Sequence, residues 1–117
     1  MKYMLLIYAD EKVLSDDECQ KCYGESTEFA HQLQSKGNFV SANPLQSVSN
    51  ATSIKVREGK RLVTDGPFAE TREQLGGYFL IEARDLDEAM GIASKIPAAR
   101  WGTVEIRPVV PLPDLPR

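Results

Sequence analysis

The sequence predicts one α+β domain over residues 1–117, with a sheet covered by helices on one face and by a second copy of the chain on the other. Its 117 residues fit a single domain. Two capping boxes each begin a helix with an apolar stripe. Two strands are apolar on both faces, which indicates a sheet that is buried on both sides.

The first predicted strand occupies residues 2–9, where both alternating faces are apolar: Tyr3, Leu5 and Ile7 on one, and Met4, Leu6 and Tyr8 on the other. This apolar run is too short for a membrane span. It is followed directly by Asp10 and Glu11 and lacks a signal-peptide cleavage site. We therefore expect a cytoplasmic protein that does not enter a membrane.

A long helix is predicted next, over residues 16–36. Ser15 is its N-cap and Glu18 reaches back from the third helical position, while Gly37 is a natural stop. The residues expected to face inward recur at helical spacing: Cys19, Cys22, Tyr23, Phe29, Ala30 and Leu33.

The middle of the chain is predicted to be β structure. A second strand begins at Phe39 and ends near Pro44. Residues 54–64 alternate around the turn Glu58-Gly59-Lys60, which is the pattern of a hairpin.

A polar loop then runs from Asp65 to Gly77, and residues 78–82 form the next strand. In the loop, Gly66 supplies unusual backbone dihedrals. The pair Gly76-Gly77 favours a bulge or a close approach of two backbones.

The second helix has Asp85 as its N-cap and an apolar stripe of Leu86, Ala89, Met90, Ala93 and Ile96. Pro97 ends it, because the residue before a proline is pushed out of helical geometry. A last strand covers residues 103–107. Four prolines within residues 108–117 predict an extended tail.

The resulting order is a ferredoxin-like βαββαβ fold with an extra β-hairpin segment in the middle. Two helices cover only one face of such a sheet, yet Tyr78 and Leu80 alternate with the equally apolar Phe79 and Ile81. An exposed apolar face of roughly several hundred Å² is rare on a monomer. We therefore expect a homodimer that packs sheet against sheet.

Charge and composition exclude several classes of function. The net charge is −3 and the basic residues are scattered among acids, so nucleic-acid binding is not expected. Cys19, Cys22 and His31 are too few for a zinc site, so neither a metal nor another cofactor is expected.

The two cysteines are most simply small buried thiols. Their Cys-x-x-Cys spacing leaves a redox pair as the alternative, although Cys19 falls too far inside the helix for its first-turn amides to lower the thiol pKa. His31 lies off the apolar stripe and is expected to be solvated.

The stretch from Thr64 to Tyr78, TDGPFAETREQLGGY, resembles the signature of DGPF-domain proteins in the YCII-related superfamily. Residues 2–8 resemble that family's first strand and residues 96–108 its last segment, so the resemblance covers nearly the whole chain. It implies a dimeric α/β-barrel. It also implies a genomic association with extracytoplasmic-function sigma factors, and so a regulatory setting.

Some members of that family carry a His–Asp pair suggested as catalytic, with the His on the first helix and the Asp just before the proline after the second. The positions that resemble them here are Ser26 and Ile96. The pair is therefore absent from this chain, which argues against an activity built on it.

The polar loop carries the first group of candidate site residues: Asp65, Glu70, Arg72 and Glu73. A buried carboxylate at Asp65 or Glu70 could act as a general base, and Arg72 could hold an anionic ligand. Phe68 is expected to fill a pocket in its own chain or in a partner. The alternative is that this loop only braces a dimer.

The last strand supplies the second group, in which Glu105 and Arg107 share the face opposite Val104. If this face lines the interior of a dimer, both bind a ligand, Glu105 is a candidate acid or base, and Tyr8 and Tyr78 add hydroxyl groups. The alternative is an ion pair on a solvated face.

Three functions stay open. The leading hypothesis is a homodimeric module that binds a small ligand or a regulatory partner, and the missing His–Asp pair favours it. The second is a cofactor-free enzyme that uses acid/base chemistry on a small metabolite. The third is a purely structural or interaction domain.

Overall fold

A computed structural model describes residues 1–116 of the chain. Its helices and strands, in chain order, are β1 (Lys2–Ala9), α1 (Asp16–Ser35), β2 (Phe39–Pro44), β3 (Thr52–Arg57), β4 (Lys60–Asp65), β5 (Gln74–Glu82), α2 (Leu86–Ala93) and β6 (Thr103–Pro108). The main sheet has four antiparallel strands in the order β2-β5-β1-β6. This is the predicted ferredoxin-like arrangement with an added hairpin.

The capping box predicted for α1 is complete. The Glu18 amide donates to Ser15 Oγ at 3.2 Å, and the Ser15 amide donates to Glu18 Oε1 at 3.0 Å. Gly37 follows the helix with a φ of +80°, a conformation that glycine adopts without steric cost. The helix therefore begins where the sequence predicts and ends at Ser35, one residue early.

The core lies between the two helices and one face of the sheet. The buried side chains of that face are Tyr3, Leu5, Phe79 and Ile81. Phe29 and Leu33 cover them from α1, and the Phe29 and Phe79 rings lie 5.9 Å apart in a tilted arrangement.

The second helix differs from its prediction at its end and in its stripe. It stops at Ala93, and a single 3₁₀ turn, Pro97–Arg100, follows. Its buried residues include Ile92, whereas Leu86 and Met90 are each 51% exposed. The helix is short, and Leu86 is its first residue. The buried side of the helix is formed by Ala89, Ile92 and Ala93, and Met90 lies beside it.

The predicted hairpin forms, but it does not join the main sheet. β3 and β4 make a separate two-stranded sheet, here called the arm (residues 52–65). Its turn residues Glu58 and Gly59 both have positive φ, as a two-residue hairpin turn requires. Every side chain of β4 is exposed.

The pair Gly76-Gly77 lies inside β5, which begins at Gln74 and not at Tyr78. The pairing of β1 with β5 shifts register between Ile7 and Tyr8, so a bulge is present. A Cβ at Gly77 would lie 2.9 Å from the Asn43 carbonyl oxygen. Both the bulge and the close approach that the sequence favours are therefore confirmed.

The second face of the sheet, here called the open face, carries Met4, Leu6, Tyr8, Ser41, Asn43, Tyr78, Leu80, Glu105 and Arg107, as the strand registers require. Both helices lie on the other side, so Met4, Leu6 and Leu80 are only partly buried. The face is apolar at its centre and polar along both edges, with Ser41 and Asn43 on β2 and Glu105 and Arg107 on β6.

The tail after β6 is extended, as predicted, and the Val109 amide donates to the Lys2 carbonyl at 2.9 Å. A short turn follows near Leu115, and Arg117 lies outside the described residues. Within residues 1–116 there is no helix that combines the length and the apolar character needed to cross a membrane.

Candidate functional site

A cleft of about 580 Å³ lies between α1 and the sheet. It exists because α1 buries only Phe29 and Leu33, both in its second half. The first half of the helix therefore leaves space above the sheet. The floor of this cleft includes Ile7, Ala42 and Phe79.

The α1 wall of the cleft is made of small side chains. Cys22, Ser26 and Ala30 follow one another at a spacing of four residues, so they share one face of the helix. All three are partly buried. They are too small to reach the sheet, and so the space stays open.

The far wall comes from the 3₁₀ turn after α2, with Ile96, Ala98 and Trp101 lining the cleft. Arg100 fixes this wall to α1, because its Nη2 lies 3.0 Å from Glu25 Oε2. The Arg100 guanidinium also lies over the Trp101 ring, 5.2 Å from its centroid.

Two free thiols lie in this cleft, at Cys19 and Cys22. Burial raises the pKa of the Cys22 thiol, and a hydrogen bond with Ser26 acts in the opposite direction. The thiol is therefore neutral at physiological pH. Whether the two cysteines form a redox pair stays a prediction.

Acidic residues stand at the cleft mouth. Glu11 holds the end of β1 to the segment after β2, because its carboxylate accepts hydrogen bonds from Ser47 Oγ at 2.8 Å and from the Val48 amide at 3.0 Å. Asp10 is its neighbour along the mouth. His31 also borders the cleft and is exposed, as the sequence predicts.

The open face brings together one pair of predicted site residues, Tyr8 and Glu105. The Tyr8 hydroxyl donates to Glu105 Oε1 at 3.2 Å. Desolvation raises the pKa of Tyr8, and Glu105 raises it further through the hydrogen bond and its negative charge. Arg107 lowers it, yet within residues 1–116 Arg107 forms no ion pair with Glu105.

Tyr78 makes its contact with β2 instead. Asn43 Nδ2 donates to the Tyr78 hydroxyl oxygen at 3.0 Å. Hydrogen bonds from Asn43 and Ser41 lower the pKa of Tyr78. Tyr8 with Glu105 and Tyr78 with Asn43 and Ser41 thus form two separate polar groups on the open face.

The polar loop does not form one cluster. Asp65, Glu70 and Arg72 are exposed, and no hydrogen bond or ion pair in the described part of the chain joins them. Glu73 accepts a hydrogen bond from Thr103 Oγ1 at 2.8 Å, so it braces the loop against β6. None of these four residues lines the cleft.

Phe68 is 83% exposed, so it does not fill a pocket of its own chain. Its ring lies 5.8 Å from Lys55 Nζ of the arm. It borders a second cavity of about 680 Å³ together with Tyr8 and Leu75. Whether Phe68 fills a pocket in a partner stays a prediction.

Sequence reasoning missed the cleft as a site, although one signal pointed to it. Ser26 and Ile96 are the positions that resemble the His–Asp pair of some YCII-related proteins, and both line the cleft. Trp101 had no signal, because nothing in its sequence context shows that it faces a cavity.

Comparisons with known proteins agree with this architecture. A family model described as the YCII-related domain matches residues 1–113. An uncharacterised protein of Rhizobium meliloti (strain 1021) is 32% identical over 114 residues, which cover 93% of this chain and 92% of that protein.

Among solved structures, one similar fold is 5-chloro-2-hydroxyhydroquinone dehydrochlorinase (TftG) from Burkholderia phenoliruptrix AC1100, in complex with 2,5-dihydroxybenzoquinone. The TM-score is 0.57 at 11% identity, with 94% of each chain covered. At that identity the similarity shows the fold alone. The family match over residues 1–113 and the 32% identical relative decide the assignment: this chain belongs to the YCII-related family.

Proposed function

We propose that the cleft binds a small, flat, uncharged ring compound, and that the protein is a small-ligand-binding module. The observation that carries this proposal is the cleft between α1 and the sheet. Its volume of about 580 Å³ lies within the range of small-molecule sites, roughly 300–1,000 Å³.

The lining of the cleft favours a ring. Trp101 on the far wall and Phe79 on the floor are aromatic, and the partly buried Ile7 adds aliphatic surface. Aromatic side chains stack on flat ligands in offset or edge-to-face geometry. Polar side chains also line the cleft, and Ser26 on the α1 wall is one that could bind a hydroxyl or carbonyl substituent.

The charges favour an uncharged ligand. The thiol of Cys22 is neutral because burial raises its pKa, so the α1 wall carries no charge there. Asp10 and Glu11 make the mouth negative and repel an anion. Arg72, the residue proposed from the sequence as an anion contact, does not line the cleft.

The similar structure supports the choice of a flat ring and does not bear on the charge of the ligand. TftG was solved with 2,5-dihydroxybenzoquinone, a flat ring with oxygen substituents. Because its identity to this chain is only 11%, it guides the choice of the compounds to be tried.

A cofactor-free enzyme is the second candidate, favoured by the dehydrochlorinase activity in the name of that neighbour. Acid/base catalysis needs a titratable group within reach of the substrate. The positions that resemble the family's suggested His–Asp pair, Ser26 and Ile96, supply no such group, whereas Asp10, Glu11 and His31 do border the cleft. We place binding without turnover first because that pair is absent, and turnover through the bordering groups is the alternative.

We further propose that the protein is a cytoplasmic homodimer paired through the open face. Met4, Leu6 and Leu80 supply an apolar centre that is not fully buried in one chain. Partly buried free thiols at Cys19 and Cys22 suit a reducing compartment.

Trp101 permits a direct test of the ligand, because it is the one tryptophan of the sequence and it lines the cleft. Hydroquinone and benzoate can be titrated while tryptophan fluorescence is followed, with thermal shift as a second readout. We expect saturable quenching by hydroquinone and a much weaker response to benzoate.

The matched variants are Ser26→Leu, which fills the cleft, and Tyr8→Phe, which removes a hydroxyl from the open face. Ser26→Leu should weaken hydroquinone binding by about tenfold or more, equivalent to about 1.4 kcal/mol. Tyr8→Phe should bind like the parent protein. No saturable response to neutral rings, or a loss confined to Tyr8→Phe, would contradict the assignment of the cleft as the ligand site.

A further inference from the structure

The arm carries apolar side chains that its own chain does not cover. Ile54 and Val56 of β3 are 59% and 60% exposed, and Leu62 and Val63 of β4 are 50% and 52% exposed. Since large contiguous apolar patches are rare on monomers, such a surface indicates an interface.

The register of the arm divides these residues between its faces. Ile54 pairs directly with Val63, and Val56 pairs with Arg61, so these four share one face. Leu62 pairs with Lys55 on the other face. The first face is therefore an apolar stripe of three β-branched residues with a basic residue at its end.

An isolated two-stranded ribbon is at best marginally stable in water. The arm shares no strand pairing with the main sheet. Its hairpin turn is well formed, but within residues 1–116 no second layer of structure packs on either face of the two strands. Something that packs on the stripe would supply that layer.

The charge of the arm favours a second copy of this chain as the partner. Within residues 52–65 there are four basic side chains and two acidic ones, whereas the whole chain has a net charge of −3. Within residues 1–116 none of the four basic residues forms an ion pair.

The rest of the chain supplies the opposite charge. Asp16, Asp17 and Glu18 stand exposed in the first turn of α1. A basic, apolar arm and an acidic body are complementary surfaces on one molecule, and two copies can satisfy both.

The root of the arm is also continuous with the open face. Phe68 borders the second cavity together with Tyr8, which belongs to the open face. Phe68 is exposed, and Lys55 Nζ of the arm lies 5.8 Å from the centroid of its ring. An interface on the open face that includes Phe68 would therefore also reach Lys55 of the arm.

We propose that the arm is a docking element for a second copy of this chain, and that it packs its Ile54–Val56–Val63 stripe on that copy. This rests on the homodimer of the proposed function, but it does not depend on ligand binding in the cleft. It adds a second contact region to the pairing of the two open faces.

Sedimentation equilibrium of the full chain tests this proposal. The central variant is Val56→Thr/Val63→Thr, which keeps side-chain shape and strand propensity and removes apolar surface. The matched control is Leu62→Thr on the opposite face of the arm, and Leu6→Thr/Leu80→Thr reports on the open face. Hydroquinone quenching of Trp101 fluorescence is measured on every variant.

The parent protein should sediment at twice the 13.0 kDa chain mass. Val56→Thr/Val63→Thr should raise the dimer dissociation constant by about tenfold or more, and Leu62→Thr by about threefold or less. Added salt should also raise that constant, because it screens the contact between arm and body.

Two results would overturn the proposal. A monomeric parent at about 100 μM would remove both the arm contact and the homodimer. A dimer weakened by Leu6→Thr/Leu80→Thr but unchanged by Val56→Thr/Val63→Thr would remove the arm contact alone. If hydroquinone still quenches Trp101 fluorescence in either case, ligand binding in the cleft does not depend on the dimer or on the arm contact.

Discussion

The two faces of the main sheet share the same strands but differ in what covers them. Leu5 is fully buried under the helices, whereas its neighbour Leu6 on the open face is only partly buried. Both are leucines of the central strand β1. The contrast shows that alternation along a strand determines which residues share a face. Whether a face is buried depends on which elements pack on it.

The strongest way to test this contrast is to shorten the two leucines separately. Leu5→Ala should cost about 2–5 kcal/mol of unfolding free energy, because it leaves a cavity in a packed core. Leu6→Ala should cost about 1 kcal/mol or less in dilute solution, since water already reaches its side chain.

Urea unfolding at two protein concentrations measures both leucine variants. If the open face pairs with a second copy, the cost of Leu6→Ala should grow with concentration and that of Leu5→Ala should not. Equal costs for the two variants in dilute solution would contradict the assignment of the two faces.

A second test concerns β5 where it meets the edge strand β2. Gly77→Ala would place a Cβ 2.9 Å from the Asn43 carbonyl oxygen and 3.2 Å from Pro44 Cα, so β2 must move away. We expect a loss of about 1–3 kcal/mol.

The matched control is Gly76→Ala, whose Cβ would meet only the Ile7 carbonyl oxygen, at 4.0 Å. Thermal denaturation and amide exchange of residues 39–44 measure the two variants. Similar stabilities of Gly76→Ala and Gly77→Ala would show that β2 does not approach β5 as closely as described.

The smallest expected effect concerns α1, whose second half packs on the sheet while its first half does not. The first half of α1 stands off the sheet, so its start depends on the capping box more than on packing. Ser15→Ala should cost about 1 kcal/mol and speed amide exchange along the α1 wall of the cleft. Thr27→Ala, on an exposed position in the middle of the helix, is the control.

The capping contribution should also depend on pH. The hydrogen bond to the Ser15 amide holds the pKa of Glu18 below its ordinary value. The stabilisation is therefore present above the unfolded-state pKa of about 4.3 and is lost as the pH falls through the lower folded value. The difference in unfolding free energy between the parent and Ser15→Ala should therefore become smaller at acid pH. A difference that does not change with pH would show that the Glu18 carboxylate does not contribute to the cap.

Local chemistry explains which elements could be predicted from the sequence. The cap at Ser15 and the hairpin turn at Glu58-Gly59 each depend on residues near one another in the chain. The close approach at Gly77 joins distant segments, and only the glycine pair itself indicated it. The extra hairpin was therefore expected, but its separation from the main sheet was not, because that depends on where β2 and β5 meet.

The candidate site was harder to predict because the cleft is a space that side chains fail to fill. Cys22 and Ala30 belong to the predicted inward stripe of α1, and nothing local shows that the first half of this stripe stops short of the sheet. The end of α2 at Ala93 was also not predicted, because the sequence placed it just before Pro97.

The central position of β1 has a consequence for how the chain is made. Its two neighbours, β5 and β6, come from residues 74–82 and 103–108, so the apolar strand β1 has no strand to pair with until most of the chain has been synthesised. Contacts between such distant segments slow folding and lengthen the time during which apolar strands are exposed to aggregation. Chaperone demand and recovery from inclusion bodies should therefore depend more on Leu5 and Leu6 than on any residue of the cleft.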